Sequence, residues 1–416
     1  MADGDGAPIG NGSEDGSTGP VRDRSTPYRS LVRHPTMLAM MLVAFVVMFG
    51  YEVPAPILPG IGEGLGVSDA QLGLVMTAFA VPGAVFVPVT GLLADLYGRK
   101  RVLVPSLVLF GVAGLATVAV DDFAVVLLLR VLQGLAFAGI LPISVVVLGD
   151  AFDAAEGSAA QGFRTSAAGA AVTVVPPVAG YLAGYGWSVP FLLFGLPLLV
   201  ALVVFLSVPE TGKALETGSG VLETLRGYAS GVRTELADGD LGVFVVGGFV
   251  RGFVRLAVLT FVPLFAVRTL DASLVEAGFV LSARGVARLV LPPFSGVVTG
   301  RFSRTGGLVG ALAVGAASCA LVPFAPGVLW AGVLVFGFTV GDSFVSPLLK
   351  DAVASRAGND HRAGVINSMY VLQNGGEAVS PALFGLVLAA GGFEPVFLLG
   401  AAVMVVYLLA LLVVAR

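Results

Sequence analysis

Four arginines stand in two pairs inside runs that are otherwise apolar: Arg251 and Arg255 in VVGGFVRGFVRLAVL, and Arg284 and Arg288 in LSARGVARLVL. Residues four apart lie on one face of a helix, so each pair stacks two guanidinium groups that repel each other. At 1.5 Å per residue, Arg251 and Arg284 both fall roughly 15 Å from the ends of their helices and share a depth. Asp342 and Glu377 are the only carboxylates of the C-terminal half deep enough in apolar sequence to serve them. Four cations against two anions leaves an excess. Two readings stay open: a structural salt-bridge network with the surplus solvated, or a site whose surplus is met by a substrate carboxylate or phosphate. Glu52, in GYEVPAPILPG, sits toward the outer part of its run, where prolines loosen the helix. There it either exchanges protons from a buried position or rests in water at the interface. Arg130 and Asp95 complete the set of charges in or at the edge of apolar runs, and Gln373, Asn374 and Glu377 place polar groups along another. The last three either line the same cavity or act as helix-to-helix glue.

The elements that must carry these residues are membrane helices. Hydrophobic residues make up 56% of the 416 and charged ones 12%, against about 25% charged in soluble domains, and the mean hydropathy is +0.95. An ionisable residue at bilayer depth costs about 2.5 to 3.5 kcal/mol on insertion scales, so it faces a polar cavity and has a partner. A spanning helix needs roughly 20 mostly apolar residues, and twelve runs qualify, at about 37–58, 71–93, 102–120, 124–148, 165–184, 189–208, 241–264, 273–299, 307–325, 328–349, 365–388 and 396–415. Cytoplasmic loops collect Lys and Arg. With the N-terminus inside, nearly all loop cations fall inside and the outer loops hold only Arg268. Both termini are therefore expected in the cytoplasm and the chain in the plasma membrane.

A hydrophilic segment, 209–240, divides the chain, giving a cytoplasmic tail at 1–36, a six-helix half at 37–208 and a second at 241–416. The halves echo each other about 205 residues apart: Gly91 to Arg99 aligns with Gly296 to Arg304, and Pro176-x3-Gly180 with Pro381-x3-Gly385. Two parallel six-helix repeats imply a pseudo-two-fold axis along the membrane normal, with a substrate site between the halves.

The stretch GLLADLYGRKRVL supplies Gly91, Asp95, Gly98, Arg99 and Lys100 between the second and third runs. A carboxylate at a helix end pairs with cations or accepts from a neighbouring helix N-terminus, and such a contact latches two helices. The alternative is a positive-inside anchor with no gating role. This stretch resembles the signature of the major facilitator superfamily of secondary transporters, and LLLRVLQGLAFAG resembles that family's fourth-helix arginine motif through Arg130, Gln133 and Gly134. VPET at the end of the sixth run is similar as well. The resemblance implies an all-α membrane protein of twelve helices in two pseudo-symmetric halves. It also implies alternating access and, through likeness to drug:proton antiporters, proton-coupled efflux of a small molecule. Pro176 and Tyr181 depart from the glycines of the exporter pattern.

Uptake or exchange of an organic anion is the alternative that the arginine excess favours, and a transport-dead sensor on the same scaffold is a third. The chain has no GxxxxGK[ST] loop, and its two histidines, His34 and His361, lie in the tail and a loop, so neither ATP hydrolysis nor enzyme chemistry is expected. Cys319 is the only cysteine and permits no disulfide within the chain. No cofactor, no metal and no nucleic acid is expected, and the partners are the bilayer, protons and a small-molecule substrate of a monomer.

Overall fold

Proline shapes the helices before packing does. The structure, a computed structural model, describes residues 31–210, 239–291, 304–356 and 362–414. It is helical, with no strand among the described residues. Span 1 runs from Pro35 to Leu65 but breaks after Val47 and again at Val53, where Pro54 cannot continue the backbone ladder. Span 2 joins Asp69–Val85 to Val87–Tyr97 across a bend of 47° at Phe86, between Pro82 and Pro88. Span 3 is Arg99–Ala119 and span 4 is Phe123–Ala151, broken ahead of Pro142. Span 5 is Ala154–Ala183 and span 6 is Val189–Ser207. Span 7 is Gly239–Thr269, span 8 Leu274–Val290, span 9 Arg304–Leu321, span 10 Val328–Arg356, span 11 Arg362–Gly391 and span 12 Phe393–Val414. Nine of the described helices are long and apolar enough to cross a bilayer alone, and the bent pair of span 2 makes ten. Spans 8 and 11 complete the layout. Residues 1–30 of the tail, most of the 209–240 segment and all but Arg304 of the Gly296–Arg304 echo lie outside the described residues.

The repeat is visible in contacts as well as in sequence. Ser68 and Gln71 form the capping box that starts span 2, and Ser273 and Glu276, 205 residues on, form the one that starts span 8. A Cβ on Gly73 would lie 2.2 Å from the carbonyl oxygen of Pro381, and one on the equivalent Gly278 would lie 2.5 Å from that of Pro176. Only glycine admits that approach. Spans 2 and 11, and spans 5 and 8, therefore pack backbone to backbone across the two halves, as a pseudo-two-fold axis requires.

Candidate functional site

The long helix of span 7 holds Arg251 and Arg255 one turn apart, Arg251 reaching spans 10 and 11 and Arg255 reaching span 11. Arg251 pairs with Asp342 of span 10, Nε to Oδ1 at 2.5 Å, and donates to Oδ2 at 3.0 Å and to Gln373 Oε1 at 2.8 Å. Gln373 donates in turn to Glu377 Oε1 at 3.0 Å, and Glu377 accepts from Arg255. Asp342, Arg251, Gln373, Glu377 and Arg255 thus form one chain of charge-assisted bonds across spans 7, 10 and 11. Asn374 is half-buried and makes no hydrogen bond to a described residue.

Arg284 is paired differently. Its Nη2 donates to Glu52 Oε2 at 2.5 Å, and both side chains are 4% exposed. Asp342 and Glu377 are therefore not its partners: the carboxylate comes from the other half, 232 residues away. Glu52 also departs from its expected outer position. Span 1 continues to Leu65, past the expected end near residue 58, so Glu52 falls near the middle of the helix and is buried. Arg288, one turn beyond Arg284, is half-buried and forms no ion pair or hydrogen bond among the described residues. It lies in the field of Arg255, Arg284, Asp342 and Glu52.

Arg130 is fully buried within the first half. It donates to the carbonyls of Val75 and Gly50 at 3.1 and 2.6 Å and to Gln133 Oε1 at 2.9 Å, with its guanidinium 4.4 Å from the centre of the Phe79 ring. Among the described residues no carboxylate pairs with it. The Gly50 carbonyl is free because its helical acceptor role would need an N–H from Pro54, which has none.

Around Gly91, Asp95, Gly98, Arg99 and Lys100 the strongest partners are residues that sequence reasoning missed. Arg99 pairs closely with Asp150 at the end of span 4 and only loosely, at 3.8 Å, with Asp95. Gly98 takes a φ of 101°, and a Cβ there would lie 2.6 Å from Glu210 Oε1. That oxygen accepts from the backbone N–H of Lys100 at 2.9 Å, so Glu210 rather than Asp95 caps the N-terminus of span 3. Glu210 belongs to VPET, whose resemblance was legible although its contact was not. Gly91 is half-buried with open space beside it. Among the described residues the ion pairs and hydrogen bonds of this cluster stay within the first half and Glu210 just beyond its end.

At the opposite end Arg268, the lone cation expected outside, reaches from span 7 to Glu63 at 2.6 Å and to Asp69 at 3.2 Å. Glu63 and Arg268 occupy positions equivalent by the 205-residue offset, so their bridge joins the halves beside the axis. Hydrogen bonds from Ser282 to the Thr173 carbonyl at 2.5 Å and from Ala382 N–H to Thr77 Oγ1 at 3.1 Å join them further in. Every ion pair and hydrogen bond between the halves among the described residues lies between the Arg268 end and the Glu52–Arg284 layer. The molecule is closed on the Arg268 side.

Comparison with known proteins bears on this geometry. The family model described as Major Facilitator Superfamily matches residues 40–376 and 244–416. Over 162 residues, 37% of the chain, it is 32% identical to the bacillibactin exporter of Bacillus subtilis, and that match covers 40% of the exporter. Over 180 residues, 43% of the chain, it is 25% identical to the quinolone resistance protein NorA of Staphylococcus aureus, covering 46% of it. The matched segment thus spans less than half the length of either relative. Among solved structures the nucleoside transporter NupG aligns with a TM-score of 0.74 at 16% identity, covering 92% of this chain and 99% of NupG. The human organic anion transporter MFSD10 aligns with a TM-score of 0.65 at 16% identity, covering 92% of this chain and 99% of MFSD10. At those identities the likeness is one of fold. The fold, the symmetric contacts across the halves and the match of the family model over most of the chain together place this protein in the major facilitator superfamily.

Proposed function

We propose that the chain is a secondary transporter of the plasma membrane that exports a small molecule by alternating access and is driven by protons. The observation that carries this reading is the buried Glu52–Arg284 bridge, the one ion pair at the central layer that joins the two halves among the described residues. The bridge needs Glu52 ionised, because a protonated carboxyl has no charge to offer Arg284. Closing the Arg268 side is then coupled to release of a proton, and opening it to uptake of one. With the Arg268 side outward, as the loop cations favour, protons enter from outside and leave within. The names of the bacillibactin and quinolone relatives support the outward direction for the substrate. Arg255, Glu377, Arg251 and Asp342 stay paired inside the second half, and they hold the wall against which Glu52 moves.

Reconstitution into proteoliposomes tests the reading. A pH gradient should drive accumulation of substrate by the wild type. Glu52→Gln should abolish that accumulation while leaving substrate counterflow without a gradient at a measurable rate, since Gln keeps the shape and loses the titrating group. Gradient-driven accumulation by Glu52→Gln equal to wild type would remove Glu52 from the coupling.

A further inference from the structure

We infer that each transport cycle carries one proton, on Glu52, and that Asp342 and Glu377, the other buried carboxylates among the described residues, carry none. The inference rests on the transport reading and fixes its coupling ratio.

Alternating access moves the halves largely as rigid bodies, so a carboxylate keeps the partners of its own half and loses those of the other. Asp342 holds Arg251 with both oxygens, Oδ1 to Nε at 2.5 Å and Oδ2 to Nη2 at 3.0 Å. Glu377 accepts on Oε1 from Arg255 and, at 3.0 Å, from Gln373. These side chains all belong to spans 7, 10 and 11, within the second half. Their bonds persist in either state, and a proton on Asp342 or Glu377 would leave an arginine buried without its counter-charge. Glu52 stands apart. Its one bonded partner among the described residues, Arg284 Nη2 at 2.5 Å, belongs to the other half. Opening the Arg268 side draws the two apart, and Glu52 is the carboxylate left without a cation, to be neutralised by a proton.

The surroundings of Glu52 offer that proton no other place. Arg130 of span 4 holds the Gly50 carbonyl on the same turn. Span 5, packed on that turn, has no titratable side chain between Arg164 and Tyr181. Tyr51 is a phenol and stays neutral through the physiological range. Arg288 lies one turn from Arg284 on span 8, and Arg255 and Asp342, whose fields reach Arg284, are held within their own half. Glu63 and Asp69 also meet a cation of the other half, Arg268, but their side chains are 65% and 29% exposed at the outer end, so they exchange protons with that side alone. Asp95 and Asp150 pair with Arg99 inside the first half. One proton inward for one molecule outward sets a ceiling: without a membrane potential, one pH unit sustains at most about a tenfold gradient of an uncharged substrate.

The steepness of the pH response counts the protons without any ligand, because each coupled proton changes a conformational equilibrium by about tenfold per pH unit. The full-length protein, with Cys319 replaced by Ser and spin labels on cysteines at Ser68 and Glu394, gives the populations of short and long distances. The titration runs above about pH 5, where carboxylates in water are ionised. The ratio of the populations should change by up to about tenfold per pH unit and no more. A change approaching about a hundredfold per unit, or pH dependence that remains in Glu52→Gln, overturns the inference and leaves a carrier coupled through a further carboxylate. Each second-half pair is also removed as a unit, Arg251→Gln with Asp342→Asn and Arg255→Gln with Glu377→Gln. Both double variants should keep the wild-type steepness, and loss of the pH response in either overturns the inference. If the variants do not fold, the wild-type steepness decides alone. A wild type that ignores pH removes the proton-driven reading and the inference with it.

Discussion

Arg130 and Arg284 are both buried arginines at bilayer depth, and their partners give them different tasks. Arg284 meets a carboxylate of the opposite half, so its bond joins the two halves. Arg130 meets neutral acceptors only: two backbone carbonyls, the Gln133 amide and the face of Phe79. It braces spans 1, 2 and 4 against one another and stays out of the central layer. Arg130→Met strands the carbonyl of Gly50, whose helical donor position is Pro54, at a cost of about 1–3 kcal/mol. The melting temperature of the purified protein should fall by several degrees, with partial recovery in Arg130→Lys, and an unchanged melting temperature would show that the brace is dispensable. Arg251, Arg255 and Arg284 each have a carboxylate, and the need of the buried arginines for carboxylates was readable from their spacing within apolar runs. That Glu52 supplies one of them was not, because a partner 232 residues away leaves no local pattern. Asp150 and Glu210 escaped for the same reason: each is an ordinary charge at a helix end until the fold brings Arg99 and Lys100 to it.

Proline in these helices releases a carbonyl four residues earlier, and lipid offers nothing to satisfy it. The chain answers three times in the same way. Pro54 frees the Gly50 carbonyl, taken by Arg130; Pro142 frees that of Ala138, taken by Thr90 Oγ1 at 2.7 Å; Pro177 frees that of Thr173, taken by Ser282 at 2.5 Å. Each proline thus both bends its own helix and ties it to a neighbour. Thr90→Val should destabilise the protein by about 1–3 kcal/mol by leaving the Ala138 carbonyl unpaired. Adding Pro142→Ala, which restores an N–H to that carbonyl, should recover most of the loss in thermal or urea unfolding. A double variant no more stable than Thr90→Val would show that the hydrogen bond is incidental. The sequence displayed the prolines and therefore the bends, and the fifth-span departure at Pro176 and Pro177 stood out. The identities of the acceptors' new donors were hidden, because any of many serines, threonines and arginines satisfies the same chemistry.

Across the whole molecule the 205-residue offset organises the contacts. Gly73 on Pro381 and Gly278 on Pro176 are one contact made twice, and Glu63 with Arg268 is a pair of equivalent positions meeting near the axis. The offset and the six-plus-six layout were legible in composition and periodicity. The side on which the halves close was not, since it depends on an equilibrium between packings of the same sequence. The central claim is that protonation of Glu52 weakens the bond holding the halves together on the Arg268 side. Spin labels on cysteines at Ser68 and Glu394, exposed positions of the two halves at that end, with Cys319 replaced by Ser, measure it most directly. The distance distribution between the labels should shift from short to long as pH falls in the wild type. It should be long at every pH in Glu52→Gln. A wild-type distribution that ignores pH, or a Glu52→Gln distribution that follows the wild type at each pH, would contradict the account.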